Sequence, residues 1–133
     1  ALSVDVDWAA GRALVGQDGG LLRLWDLEAG CMAASLEGHS RAVWAVAADW
    51  HGGQAVSASA DTTLRLWDLV AGETLRVFAG HKDIVWRLAV DWATERIASA
   101  SNDLTLRLWD LSDGSCLHVL CGHSKSVMCV VFV

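Results

Sequence analysis

Leu-Arg-Leu-Trp-Asp-Leu is the stretch that decides the fold, and it occurs three times, at residues 22–27, 64–69 and 106–111. The copies begin 42 residues apart. A Gly-His pair repeats with the same shift, at 38–39, 80–81 and 122–123. The two complete periods, 38–79 and 80–121, are identical at 21 of 42 positions. A fixed period of this length is typical of a repeat architecture, in which each unit is one supersecondary element.

One period, 38–79, reads as four short strands joined by turns. The runs 43–47 and 55–59 are apolar and contain small or β-branched residues. The run 63–67 alternates strictly, with leucines on one face and Arg and Trp on the other. A fourth run covers 75–78, and Gly, Asp or His marks the turns. No window of about ten residues keeps an apolar i, i+3, i+4, i+7 pattern, which excludes helix.

A small sheet that is apolar on both faces cannot stand alone in water, so each sheet has to stack on copies of itself. The sequence therefore predicts an all-β chain of β-propeller blades, each a four-stranded antiparallel meander. It predicts a partial ring of three blades plus one strand: blade 1 at about 1–37, blade 2 at about 38–79, blade 3 at about 80–121 and the first strand of a fourth blade at about 122–133. Propellers typically close with about 4–8 blades. We therefore interpret the chain as a fragment of a longer polypeptide, or as one whose ring a neighbouring subunit completes.

Composition excludes several classes of protein. The 133 residues are 53% hydrophobic and carry a formal charge of −6, and the basic residues lie singly, so binding to nucleic acid is not expected. No apolar run approaches the roughly 20 residues of a membrane span, and the first residues lack a signal-peptide pattern. The four cysteines lie at different phases of the repeat, which favours free thiols in a reducing compartment. We expect a soluble intracellular protein, cytoplasmic or nuclear, alone or bound to a large complex.

These residues resemble the WD-repeat family. Its signature is a Gly-His pair, a Trp-Asp dipeptide, a period of about 40–45 residues and four strands per unit, and these features recur in phase over the entire chain. The resemblance implies a propeller that serves as a rigid scaffold for other proteins, without catalysis or cofactor.

In that family a hydrogen-bonded set of four side chains locks each blade: a His before the first strand, a Ser or Thr on the second, an Asp in the next turn and a Trp on the third. The resemblance implies two complete sets here: His39, Ser59, Asp61 and Trp67 in blade 2, and His81, Ser101, Asp103 and Trp109 in blade 3. Blade 1 departs from the pattern, because Gln17 and Gly19 replace the Ser and the Asp and only Trp25 remains. We therefore expect its turn between the second and third strands to differ in shape.

The same residue types form nucleophilic Ser-His-Asp triads, so catalysis is a competing interpretation of this set. The sequence has no G-x-S-x-G elbow. The set also occurs twice in the same phase of the repeat, which favours a structural role.

A metal site is a second alternative, because Cys116, His118, Cys121 and His123 lie within eight residues. The other periods do not repeat these ligands. The spacing also differs from the two well-separated pairs of a zinc ribbon or finger. We therefore expect no metal.

Partner-binding positions of the family lie three and five places after the Gly-His histidine. In this chain they are Leu2, Ala42, Trp44, Ile84, Trp86, Ser126 and Met128. Around the mouth of a channel they would form an apolar contact rim, since aromatic residues and Met are enriched at interfaces. Tryptophan at this place also fits simple packing between blades, and both interpretations stay open.

A further tryptophan series follows aspartate in the turn after each first strand, at Trp8, Trp50 and Trp92. If exposed, three such side chains would form an interaction patch. If folded back, they would seal the blades. Their regularity favours sealing.

The leading hypothesis is a non-enzymatic protein-interaction scaffold. One alternative is the propeller module of a multidomain regulator whose catalytic domain is missing from this chain. Another is a structural subunit of a large assembly. Fold alone does not decide among them.

Overall fold

The computed structural model describes residues 3–122, and its regular structure consists of strands. Within this range no helix is long and apolar enough to cross a membrane. The strands are β1 (Ser3–Asp7), β2 (Arg12–Gly16), β3 (Leu22–Asp26), β4 (Cys31–Leu36), β5 (Val43–Asp49), β6 (Gln54–Ser59), β7 (Leu64–Asp68), β8 (Glu73–Phe78), β9 (Val85–Asp91), β10 (Arg96–Ser101), β11 (Leu106–Asp110) and β12 (Cys116–Leu120). The orphan strand predicted at 122–133 lies almost entirely outside the described residues.

The strands form three separate four-stranded sheets, β1–β4, β5–β8 and β9–β12. Neighbours within each sheet are antiparallel and consecutive in the chain, so each sheet is a meander. This topology confirms the predicted all-β class and the four strands of each repeat. Several strands extend one or two residues beyond the predicted runs because pairing continues into the turns, as between Asp49 and Gln54.

The sheets stack through two apolar layers, one on each side of the second sheet. The alternation along β7 produces both layers, because Leu64 and Leu66 pack against the third sheet and Trp67 packs against the first. Trp109 of the third sheet packs against the second sheet, as Trp67 of the second packs against the first. Its ring meets that of Phe78 edge to face, with ring centroids 5.8 Å apart. The strand β5 contacts both β1 and β9, so the first strands of the three sheets lie together, as they do around the channel of a propeller.

A β-bulge recurs in the first strand of the second and third sheets. The pairing of β5 with β6 passes from Val43 to Ala45 and leaves Trp44 as the extra residue. The pairing of β9 with β10 skips Trp86 in the same way. Because a bulge re-aims the side chain of its extra residue, both indoles leave the regular alternation of their strands.

The turn between β2 and β3 has the same shape as its counterparts. Gly20 has a φ of 89°, in the left-handed region where Thr62 has 78° and Leu104 has 71°. The first residue of the turn donates its amide N–H to the carbonyl oxygen four residues on, from Gln17 at 2.9 Å and from Ser59 at 3.1 Å. The prediction of a different shape in the first blade is therefore wrong. This turn depends on one residue in the left-handed conformation and on backbone hydrogen bonds. Gly20 adopts that conformation readily, so the turn forms even though Gly19 replaces the aspartate.

Turns alternate between the two ends of the stacked sheets, and the Asp-Trp turns after β1, β5 and β9 share one end. Trp50 and Trp92 are half-buried there and pack against the two apolar layers. Trp8 is 83% exposed. The series therefore seals the sheets at two positions and presents one indole to solvent.

Candidate functional site

Four side chains form a hydrogen-bonded chain in the second sheet. Trp67 Nε1–H donates to Ser57 Oγ over 2.7 Å, and Ser57 Oγ lies 2.6 Å from His39 Nε2. His39 Nδ1 lies 2.8 Å from a carboxylate oxygen of Asp61. Because an ionised carboxylate only accepts, we place the imidazole proton on Nδ1. Nε2 then accepts a hydrogen bond from the Ser57 hydroxyl group, and each polar group of these four side chains has a partner.

The third sheet repeats this arrangement with nearly the same distances. Trp109 Nε1–H donates to Ser99 Oγ over 2.9 Å, and Ser99 Oγ lies 2.6 Å from His81 Nε2. His81 Nδ1 lies 2.8 Å from Asp103. Burial lowers the pKa of His81, and Arg107 adds to the effect against the opposing influence of the Asp103 carboxylate.

The serine of each set is Ser57 or Ser99, so the predicted Ser59 and Ser101 are wrong for this contact. Ser59 Oγ instead donates to the Arg41 carbonyl oxygen at 3.0 Å and accepts the amide N–H of the turn aspartate at 3.1 Å. Ser101 Oγ makes the corresponding bonds in the third sheet. Residues two apart on a strand share a face, so the alternation pattern did not separate the two serines.

The Asp61 carboxylate holds the turn against the start of the sheet. It accepts hydrogen bonds from His39, from the Ser40 amide at 3.1 Å, and from the Thr63 amide and hydroxyl at 2.9 and 2.6 Å. Burial raises the pKa of Asp61, but the hydrogen bonds from His39 and Thr63 outweigh burial and hold the pKa well below its usual range. Asp61 is therefore charged and links the strands of its sheet at one end.

The order Ser57–His39–Asp61 matches the connectivity of a nucleophilic triad, but its surroundings do not permit that chemistry. Ser57 is fully buried, and its oxygen already accepts the Trp67 N–H. The His39 side chain is buried as well. A nucleophile has to reach its substrate, so the set is structural.

Among the described residues, the first sheet lacks this network. Val15 occupies the place of Ser57 one period earlier, and Trp25 is half-buried, whereas Trp67 is fully buried. Trp25 therefore packs in the first sheet without the serine that anchors its counterparts.

The cysteines of the described range are free and exposed. Cys116 and Cys121 lie on β12 or just after it, and His123 lies outside the described residues. Over residues 3–122 no group of three or more potential ligands could hold a metal ion.

The structure brings together the described members of the predicted partner-binding set. Trp44 and Trp86, turned out by their bulges, meet with ring centroids 4.8 Å apart and planes at 57°. Both are half-buried, and their Nε1 atoms have no hydrogen-bond acceptor within the described range. Leu2, Ser126 and Met128 lie outside that range.

A cleft of about 340 Å³ opens beside this tryptophan pair. Ala42, Trp44 and Ile84 line it together with the polar residues Asp18 and Arg41. The cleft therefore has a mixed apolar and polar lining with one cation and one anion, and it lies at the end opposite to the Asp-Trp turns. The sequence predicted its apolar members, but not the pairing of the indoles, because the bulges that cause it have no signal in the repeat.

Three stacked four-stranded meanders with buried Trp-Asp strands define a propeller-type repeat protein. The family model for the WD domain, G-beta repeat, matches residues 30–68, 72–110 and 114–133. The chain belongs to the WD-repeat family. Each of the first two matches runs from the last strand of one sheet through the third strand of the next, so a sequence repeat spans two sheets. No curated protein matches the chain.

Proposed function

We propose that the protein is a non-catalytic scaffold that binds a partner protein at the Trp44–Trp86 cleft. Membership of the WD-repeat family supports the general role, since its domains are typically protein-interaction scaffolds. The tryptophan pair carries the specific proposal. Their two indole N–H groups are buried without an acceptor in the described range, which is costly, and a partner segment that displaces the side chains over them would supply acceptors.

The cleft has the composition of an interface centre. Aromatic side chains and Arg are enriched in the residues that contribute most to protein binding, and here Trp44 and Arg41 line the cleft while Trp86 packs against Trp44. Ala42 and Ile84 supply apolar contact area beside them. This arrangement favours a partner segment with an apolar side chain and a nearby carbonyl or carboxylate acceptor.

The test compares the proteins that co-purify with the full chain and with three variants. Trp44→Phe and Trp86→Phe keep an aromatic ring but remove the N–H donors. Leu104→Asn changes an exposed apolar residue in a turn at the same end, and Asn tolerates its φ of 71°. A partner of this cleft is expected to bind each Phe variant about fivefold or more weakly, in direct titration, and to bind Leu104→Asn normally. Retention of every partner by both Phe variants would contradict the proposal.

A further inference from the structure

Charge is distributed very unevenly between the two ends of the sheets. We define the acidic end as the six turns after the odd-numbered strands, each counted from the last residue of one strand to the first residue of the next. Ten of the sixteen acidic residues of the chain lie there, with two of the ten basic residues. The rest of the chain therefore has a small net positive charge, and the acidic end attracts cations and repels polyanions.

The three tryptophans of the Asp-Trp turns lie at this same end. Each follows an aspartate whose side chain accepts a backbone N–H of its own turn, from Ala10 to Asp7 at 3.1 Å and from Gly52 to Asp49 at 3.0 Å. The Ala10 amide holds the pKa of Asp7 below its usual range. Each indole thus directly follows a carboxylate in the sequence of its turn, a combination that suits a cationic side chain.

The chain already holds one cation in this way. Arg12 lies with its guanidinium carbon 5.1 Å from the ring centre of Trp50, and its Nη2 donates to Asp7 at 3.2 Å. An indole of one sheet and a carboxylate of the preceding sheet thus enclose an arginine. Cation–π attraction and the ion pair act on the same group.

One period later the arginine is missing. Asp49 and Trp92 correspond to Asp7 and Trp50, but Gln54 stands in the place of Arg12. A cavity of about 510 Å³ opens at this end, and its charged, aromatic and imidazole lining residues are Asp7, Arg12, Asp49, Trp50, His51 and Trp92. Arg12 is paired with Asp7, so Asp49 and Trp92 supply the carboxylate and the indole of a second arginine site that has no arginine of its own.

We propose that the acidic end binds a Lys- and Arg-rich segment of a partner protein, with one cationic side chain in the cavity between Asp49 and Trp92. The exposed indole of Trp8, which lies in the same turn as the lining residues Asp7 and Ala9, offers a second stacking face at this end. The segment is a polypeptide rather than a nucleic acid, since phosphates are repelled by this end. The surface lies opposite the Trp44–Trp86 cleft, so either proposal can fail without the other.

The test is calorimetric titration of the full chain with a synthetic peptide that alternates Arg and Ser, and with a peptide that has Glu in place of Arg. Asp49→Asn removes the charge but keeps an oxygen for the Gly52 amide. Gln54→Arg places an arginine where Arg12 lies in the preceding sheet. Asp18→Asn is the matched control, because it changes net charge by the same amount at the opposite end.

We expect the Arg peptide to bind and the Glu peptide not to bind. Asp49→Asn should weaken binding of the Arg peptide about tenfold because the peptide cation loses its ion pair. Gln54→Arg should weaken it by about the same factor because the new arginine occupies the site. Asp18→Asn should change the affinity less than about twofold. Trp44→Phe should leave it unchanged. The proposal would be overturned if Asp49→Asn and Asp18→Asn lost the same affinity, or if the Arg peptide did not bind. It would also be overturned if the Glu peptide or a single-stranded oligonucleotide bound as tightly as the Arg peptide.

Discussion

Ser57 Oγ lies 2.6 Å from His39 Nε2 and is the shared hydrogen-bond partner of His39 and Trp67. This contact distinguishes Ser57 from Ser59, which has the same residue type and lies on the same face of β6. Both serines are fully buried, so burial alone does not separate them. Their partners do, because the bonds of Ser57 join two buried rings and those of Ser59 join backbone groups at a turn.

Ser57→Ala should destabilise the protein more than Ser59→Ala. The first change leaves the His39 and Trp67 nitrogens without partners, at about 1–3 kcal/mol for each buried group. Ser59→Ala removes bonds to the Arg41 carbonyl and the Asp61 amide, nearer to solvent, and should cost about 0.5–1.5 kcal/mol. Urea unfolding of the two variants measures the difference. A larger loss in Ser59→Ala would show that the network does not depend on Ser57.

Trp67→Ala should be among the most damaging single changes in the chain, at about 3–5 kcal/mol. Trp67 is fully buried between two sheets and anchored to Ser57, whereas Trp25 is half-buried and has Val15 in place of that serine. Trp25→Ala should therefore lower the free energy of unfolding clearly less than Trp67→Ala does. Arg65→Ala removes a partly exposed side chain and should lower it least. Thermal unfolding under identical conditions provides the ranking. Similar losses in all three variants would contradict the assigned faces of the third strands.

Much of this fold could be predicted from the repeat. The period, the strict alternation of β7 and the glycine-rich turns together determine four strands per sheet and the two faces of each third strand. The bulges at Trp44 and Trp86 could not be predicted, since the same residues would also fit an unbroken strand. The choice between Ser57 and Ser59 likewise depends on where the Trp67 indole reaches across two strands, which strand periodicity does not specify.

Gly20→Ala should destabilise the first sheet and its contact with the second. Gly20 has a φ of 89°, and a Cβ there would lie 2.4 Å from the His39 carbonyl oxygen. The left-handed conformation alone costs a side chain about 1–2 kcal/mol, and the collision adds to it. Gly19→Ala is the control, because a Cβ there meets nothing within 4 Å and the residue needs no positive φ. Chemical denaturation of both variants checks the prediction, and equal stabilities would refute the close approach of this turn to His39.

Stability should fall as the pH drops from 7 to 5, and again below pH 4. The folded-state pKa of His81 is lowered chiefly by burial, so the unfolded chain binds that proton more strongly. Folding free energy is then lost as the pH falls through the unfolded value of about 6.5. The pKa of Asp61 is also lowered, since hydrogen bonds from His39 and Thr63 outweigh burial, and its contribution is lost below about 3.9.

His81→Gln separates the two ranges, because it removes the titration of the imidazole and leaves Asp61 in place. Unfolding free energies measured from pH 4 to 8 should show a smaller slope between pH 7 and 5 in this variant, even though the variant is less stable throughout. An unchanged slope in His81→Gln would mean that the buried histidine of the third sheet does not carry this pH dependence.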